Sequence, residues 1–410
     1  MTIFFKNLSI NSILIFLILI YSTNVFADND STIAAQAYLK TNNWQQSKRY
    51  NMAHFLMIPM FYAFEKEDDN LKSAYHKYVK DFYNQKEDQL NFNKNSQRLN
   101  DLQFLYFLST YAVLSENKSP AYSNKMLRSV EEVWGDIPAW QWGRKPFPNM
   151  KQRFDWKLNA PSSAGYHRAI IDEDFFLSGT AANLSKIYPS NPTLKEINNY
   201  TYNIFKQRST MENGRWLFDI GAWDNHPTFA HSAYSDTKQI SGKKPKTNIV
   251  MDSSHFFRMP ILLWSFQGAY PVGSKEAKSF KNYRLGLEKQ FFDKVVVRKD
   301  NKILLSNFMD GSNGVYRWEY SSLGKGKGVG PYELTASFGM GWWALLPNTR
   351  IQNLYQDYYQ QLNDPKVRNK CDTTMKSIIE SSKLNLKSDF GNCFYLYNSK
   401  LASEITEKRF

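Results

Sequence analysis

The side chains able to move protons are concentrated between Gly214 and Arg258. Three of the six histidines lie there (His226, His231, His255), with Asp219, Asp224, Asp252, Arg215 and Arg258. Trp216 and Trp223 stand among them and Tyr234 follows. Aromatic faces cover sugar rings while a few titratable groups attend the bond being broken, so the mixture reads as a carbohydrate cleft. The residue types suit β-elimination on a uronic acid polymer, which needs a partner for the carboxylate, a base for the carbon-bound proton and an acid for the leaving oxygen. Asn225 or Arg258 can serve as the first and His226 as the second. Tyr234, or a tyrosine between Tyr316 and Tyr332, can serve as the third. His255 lies in the second half of the same stretch, and Asp224 is either bystander or catalyst.

Other chemistries have their own requirements. A glycosidase needs two carboxylates, for which Asp219, Asp224, Asp252, Asp310 and Glu333 are candidates. Asp252 before S-S-H-F-F also reads as a helix cap, and Asp310 before glycine as a turn residue. No H-E-x-x-H occurs, and Pro227 keeps His226 and His231 off one regular helical face, so no metal is expected. The run Leu323–Gly330 lacks the G-x-x-x-x-G-K-S/T arrangement of a phosphate loop, and no cofactor is expected. Its glycines let backbone approach a ligand, with Lys325 and Lys327 available to an acidic one. Tyr316, Trp318 and Glu333 belong to the same glycine-rich wall or lid. Trp142, in the proline- and tryptophan-rich region 134–165, is a further candidate for contact with substrate, beside Trp216, Trp223 and Arg215. His54 and His76 read as structural residues of amphipathic helices.

The elements that must position these groups are mostly helical. Apolar residues recur at helical spacing over Thr32–Leu39, Ala53–Phe64, Leu71–Phe82, Leu99–Leu114, Tyr122–Val133, Glu173–Ile187, Leu194–Phe205, Phe256–Phe266, Lys275–Phe292, Leu334–Leu346, Ile351–Leu362 and Val367–Ile379. Breakers fall where helical hairpins would turn, which predicts an (α/α) toroid of hairpins in one domain over 28–410, acting as a monomer. One β-hairpin is expected near 295–308, turning at Asp300-Asn301.

Lys6, the apolar run Ile13–Tyr21 and Val25-Phe26-Ala27 predict a signal peptide over residues 1–27, hence a periplasmic or secreted protein. No membrane span is expected after its cleavage. Its removal takes one lysine and no acid, lowering the formal charge from +14 to +13. That charge favours an acidic polysaccharide as partner; without an Arg-rich tract or a nucleic-acid module, nucleic acid is not expected. Cys371 and Cys393 are predicted to form one disulfide clamping the last elements.

Asn225-His226 in a helical, basic, exported chain resembles the Asn-His pair of toroid alginate lyases and the related chondroitin and hyaluronan lyases. The resemblance implies Asn225 as carboxylate partner and His226 as base. The family's N-N-H reads D-N-H here, and no arginine-then-tyrosine segment matches. The helix rhythm and the run Gly330–Trp343 equally resemble six-hairpin glycosidases. The expected function is cleavage of a uronic-acid glycan by elimination, with hydrolysis, epimerisation or non-catalytic glycan binding as alternatives.

Overall fold

The computed structural model describes residues 31–41, 46–85, 90–140, 146–219, 226, 234, 251–319, 323–381 and 388–406. The described chain is mostly helical, with two small antiparallel hairpins.

Two kinds of helix follow from their sequences. α2 (Gln46–Glu65), α4 (Asn95–Leu114), α7 (Asp172–Ser185) and α10 (Met259–Gly268) carry small or apolar residues nearly all round. Such helices have no face suited to water and take the interior. α1 (Ile33–Lys40) and the remaining helices lie against them. α3 (Asp69–Asn84) buries only the stripe Leu71, Tyr75, Tyr78, Val79 and Phe82. α5 (Pro120–Gly135), α8 (Pro192–Arg208), α11 (Lys275–Gln290) and α12 (Arg350–Leu362) are likewise one-sided. Their starts are set locally. Asp68 accepts from Leu71 N, Asn191 from Leu194 N ahead of Pro192, and Ser274 from Ala277 N, leaving fewer orphan amides in each first turn.

The interior helices pack in succession: α2 on α4, α4 on α7, α7 on α10. Gly179 of α7 makes this approach possible, since a Cβ there would sit 2.6 Å from Tyr106 of α4 and 2.9 Å from Leu262 of α10. α10 then meets the 3-10 segment Trp342–Leu345, and α14 (Ser388–Ala402) meets both the 3-10 segment Glu333–Met340 and α2. Trp342 Nε1 donates to the carbonyl of His54 at 3.0 Å, and Asn398 Nδ2 to that of Phe55 at 3.1 Å, so the last elements are tied to the first interior helix. Cys371 of α13 (Pro365–Ser381) is disulfide-bonded to Cys393 of α14, as the sequence predicts.

The hairpin β3–β4 pairs Val296–Lys299 with Lys302–Leu305, and both Asp300 and Asn301 have positive φ, the backbone this tight turn requires. A second hairpin, β1 (Ser209–Glu212) with β2 (Arg215–Phe218), turns at Asn213-Gly214 by the same device and was not anticipated. Nor were α6 (Met150–Asn159) and α14. The helix expected over 334–346 is instead two 3-10 pieces, broken where Gly341 takes φ +87°. Among the described residues no helix is long and apolar enough to cross a membrane.

Candidate functional site

The N-terminal ends of three interior helices meet at one guanidinium. Arg258, the residue before α10, donates from Nη1 to Asp172 Oδ1 at 2.9 Å and from Nη2 to Tyr50 Oη at 2.6 Å. Asp172 opens α7, and Tyr50 and His54 lie one turn apart near the start of α2. Arg258 also donates to His54 Nε2, from Nε at 3.2 Å and Nη2 at 3.1 Å. His54 Nδ1 is 3.0 Å from the carbonyl of Tyr50. A guanidinium cannot accept and a carbonyl cannot donate, so His54 is the neutral tautomer with its proton on Nδ1. Burial and the neighbouring Arg258 hold its pKa well below the usual histidine value.

Beside this centre, Asp252 joins two functions. Its carboxylate caps the four-residue helix α9 (Ser253–Phe256) by accepting from His255 N at 2.9 Å, and it lies 2.9 Å from His255 Nδ1. Asp252 is fully buried; burial opposes its charge, but His255 and Ser254 outweigh it and bring the carboxyl down from 3.8 to about 2. With Nδ1 facing the carboxylate, Nε2 is the ring's remaining basic atom on a side chain 28% exposed. The Tyr316 hydroxyl lies 3.1 Å from the same Nδ1. Burial, then the nearby Asp252 charge, raises Tyr316 well above its usual value, so it stays protonated.

Tyr316 is set by the segment expected to be a wall. Residues 316–319 pair antiparallel with 327–329, through Tyr316 N to Val329 O, Val329 N to Arg317 O and Glu319 N to Lys327 O. Asn307 ties both strands of that ladder at its open end: Nδ2 donates to Gly314 O at 2.8 Å and Gly330 O at 2.7 Å, and Oδ1 accepts from Leu334 N. The carbonyl of Asn307 accepts from Ser253 N, so one buried amide residue links the helix carrying His255 to the ladder carrying Tyr316.

His226 stands edge-on to Tyr166, ring centroids 4.7 Å apart. Burial first, then Arg317 and His167, lowers its pKa from 6.5 to about 4, leaving a neutral imidazole at physiological pH. Arg317, whose guanidinium lies 5.0 Å from the centre of the Tyr316 ring, also acts electrostatically on His226, Asp252 and Tyr316. Four of the six histidines (His54, His167, His226, His255) thus belong to this region.

Of the residues singled out from sequence, His226 lies against Tyr166 and Arg258 at the helix ends with His54, while the structure puts His255 and Tyr316 in contact. Tyr234 is adjacent, its carbonyl accepting from Val315 N at 2.7 Å. Arg258 pairs with Asp172, not with Asp252 or an open cleft, and its side chain is 5% exposed. Trp216 occupies the core instead of a cleft wall: it is fully buried, stacked on Phe205 and Tyr283, with Nε1 donating to Ser209 Oγ. Arg215 is half-buried on β2. Trp318 lies in the ladder opposite Gly328. Lys325 is exposed, as is Glu333, which accepts from Gly330 N at 2.7 Å. Asp310 accepts from Ser312 N as a turn residue, and Asp219 pairs with Arg168. Trp142, Trp223, Asp224, Asn225 and His231 lie outside the described residues.

Sequence reasoning missed Tyr50 and Asp172 and placed His54 among purely structural residues. The available signal was Tyr50 and His54 at i, i+4, one polar pair on one face of an apolar helix. Among the described residues no group of three or more histidines, cysteines and acids is placed to hold a metal ion. No family model matches the chain, and no curated protein matches it.

Proposed function

We propose that the protein is an exported (α/α) toroid that cleaves a uronic-acid polysaccharide by β-elimination. The observation that carries this reading is two histidines of different character: His226, neutral and edge-on to Tyr166, and His255, held at Nδ1 by an ionised carboxylate beside a protonated tyrosine, with Arg317 acting electrostatically on His226 and on that carboxylate. His226 takes the proton on the carbon next to the substrate carboxylate. The electron pair forms the new carbon-carbon double bond, the glycosidic carbon-oxygen bond breaks, and His255, entering the cycle protonated with its charge paired to Asp252, gives its Nε2 proton to the leaving oxygen; His226 then releases the abstracted proton to solvent, from which His255 is reprotonated. Arg317 pairs with the carboxylate and with the negative charge that develops on it. It takes the role the sequence suggested for Arg258, whose donors are committed to Asp172, Tyr50 and His54. The convergent N-termini of α2, α7 and α10 add partial positive charge, which favours an anionic substrate. The circuit of interior helices, tied back to α2 by Trp342 and Asn398, supports the toroid.

Of the carboxylates in this group, Asp252 is ionised to about pH 2 and Asp172 is salt-bridged to Arg258, so neither is set up as the protonated acid of a hydrolase. The test is incubation with a panel of uronic-acid polymers, following ultraviolet absorbance of an unsaturated product end. Absorbance that His226→Ala and His255→Ala abolish supports elimination. Reducing ends without absorbance mean hydrolysis, and binding without either signal across the panel means a glycan-binding protein.

A further inference from the structure

Away from this site, a cavity of about 290 Å³ opens between the C-terminal end of α3 and one face of α5. Its size is at the lower end of small-ligand pockets. Phe82 and Phe92, both buried, give it an apolar floor. Lys125, Arg128, Ser129 and Glu132 line the opposite side at i, i+3, i+4 and i+7, one continuous face of α5. Tyr83 Oη and Gln85 Nε2, on two residues lining the cavity, are screened from water and have no hydrogen-bond partner among the described residues. Buried polar groups are almost always satisfied, and an exception calls for a reason. The Tyr83 ring is held in place by stacking on Tyr122, centroids 4.6 Å apart, with Lys125 Nζ 5.5 Å from its centre.

We infer that this cavity is a second saccharide site, taking one uronate residue outside the catalytic cleft. The apolar floor and the tyrosine ring suit the carbon face of a pyranose, Ser129 suits a hydroxyl group, and Lys125 and Arg128 suit its carboxylate. That the acid is a sugar acid rests on the proposed function; the apolar, polar and cationic composition of the cavity does not. The inner helices α2 and α4 run antiparallel to α3 and α5 as successive hairpins, so the cavity lies toward the end of the molecule where α2 and α4 begin, the end that carries Tyr50. A long glycan engaged there is retained between cleavage events, a gain in effective concentration.

The test is calorimetric titration of the intact protein and its variants with sodium glucuronate, mannuronate and galacturonate, against the uncharged parent hexoses. Two uronate binding events are expected in the wild type. Lys125→Ala and Arg128→Ala should each weaken one of them about tenfold while the other is unchanged, the loss of one charge-assisted contact. Unchanged binding in both variants, no uronate binding in the wild type, or equal binding of hexose and uronate overturns the proposal, whereas a single event that both variants weaken places the uronate in this cavity and not in the catalytic cleft. Because binding is read without turnover, loss of the elimination assay alone sinks the catalytic reading and leaves this one standing.

Discussion

Arg258 and His54 are 204 positions apart in the chain, yet the guanidinium donates twice to one imidazole nitrogen, at 3.2 and 3.1 Å. That contact ties α10 to α2, and the same guanidinium ties both to α7 through Asp172. A buried charge with three partners is costly to break from one side. Arg258→Met is expected to lower unfolding free energy by about 3–5 kcal/mol, read from the denaturant midpoint at constant m. Arg258→Lys should recover little, because one ammonium cannot span three acceptors in a plane. A loss under about 1 kcal/mol for Arg258→Met would mean the helices are held without it.

Asp252 ties stability to acid. Its folded pKa of about 2 lies below the usual 3.8, so its contribution is present above about pH 4 and is lost as pH falls through about 2. The amount is about 2 kcal/mol. Asparagine caps helices as well as aspartate, so Asp252→Asn isolates the charge. The variant should be less stable than wild type at pH 7 by about that amount. The two curves should meet near pH 2. A gap that persists unchanged at pH 2 would assign the loss to packing.

For His226, pH acts on the reaction and on stability. The group must be neutral to take a proton, and its folded pKa is about 4. The acid limb of kcat/KM is therefore expected near pH 4, far below the ordinary histidine value of about 6.5. Folding resists protonation of this ring, so the unfolded chain gains protons first and stability declines as pH falls from about 6.5 toward 4. An acid limb at 6 to 7 that survives His226→Gln would remove His226 as base.

Asn307 is expected to act as a positioning residue through its donors. Its Nδ2 spans two carbonyls, Gly314 and Gly330, which an aspartate cannot do. Asn307→Asp and Asn307→Ala should therefore both lower kcat about tenfold or more, with KM changed less, since Tyr316 is displaced from His255. Stability should fall by about 2 kcal/mol. Activity retained in Asn307→Asp would show that volume, not donation, holds the ladder.

Gly179 tests the packing of the interior helices. Alanine is the better helix former by about 1 kcal/mol, but its Cβ would lie 2.6 Å from Tyr106 and 2.9 Å from Leu262. The steric effect should win, costing about 1–3 kcal/mol net. Leu262→Ala in the Gly179→Ala background should cost less than Leu262→Ala alone, a coupling measurable by a double-mutant cycle on thermal unfolding.

Much of the framework was legible in the sequence because helix formation is local. The apolar spacing located ten of the twelve expected segments within about four residues, the segment expected over Ala53–Phe64 began earlier, at Gln46, and Asp300-Asn301 marked its hairpin. Where a local conformation overrode the pattern, the reading failed: apolar residues from 334 to 346 kept helical spacing, but Gly341 at φ +87° broke the run. Asn213-Gly214 carries the same turn signal, but the Ser-Thr-Met-Glu before it lacks the apolar β-branched run that Val295-Val296-Val297 supplies at the other hairpin, so its strands gave no pattern.

The site divides in the same way. His226, His255, Arg258 and Tyr316 could be nominated from residue type and proximity in sequence. Their roles could not, since a role depends on what packs against each group. Trp216 looks the same in sequence whether it faces a sugar or stacks between Phe205 and Tyr283. Asp172 and Tyr50 lie 86 and 208 positions from Arg258, and nothing local marks them as its partners. Sequence determined the helices, the hairpin at Asp300-Asn301 and the stock of proton-carrying side chains, because periodicity and turn chemistry act over a few residues. Tertiary structure alone decided which helix ends meet, and with them which histidine is neutral and which arginine is committed, because desolvation and charge pairing act only between groups that folding has brought together.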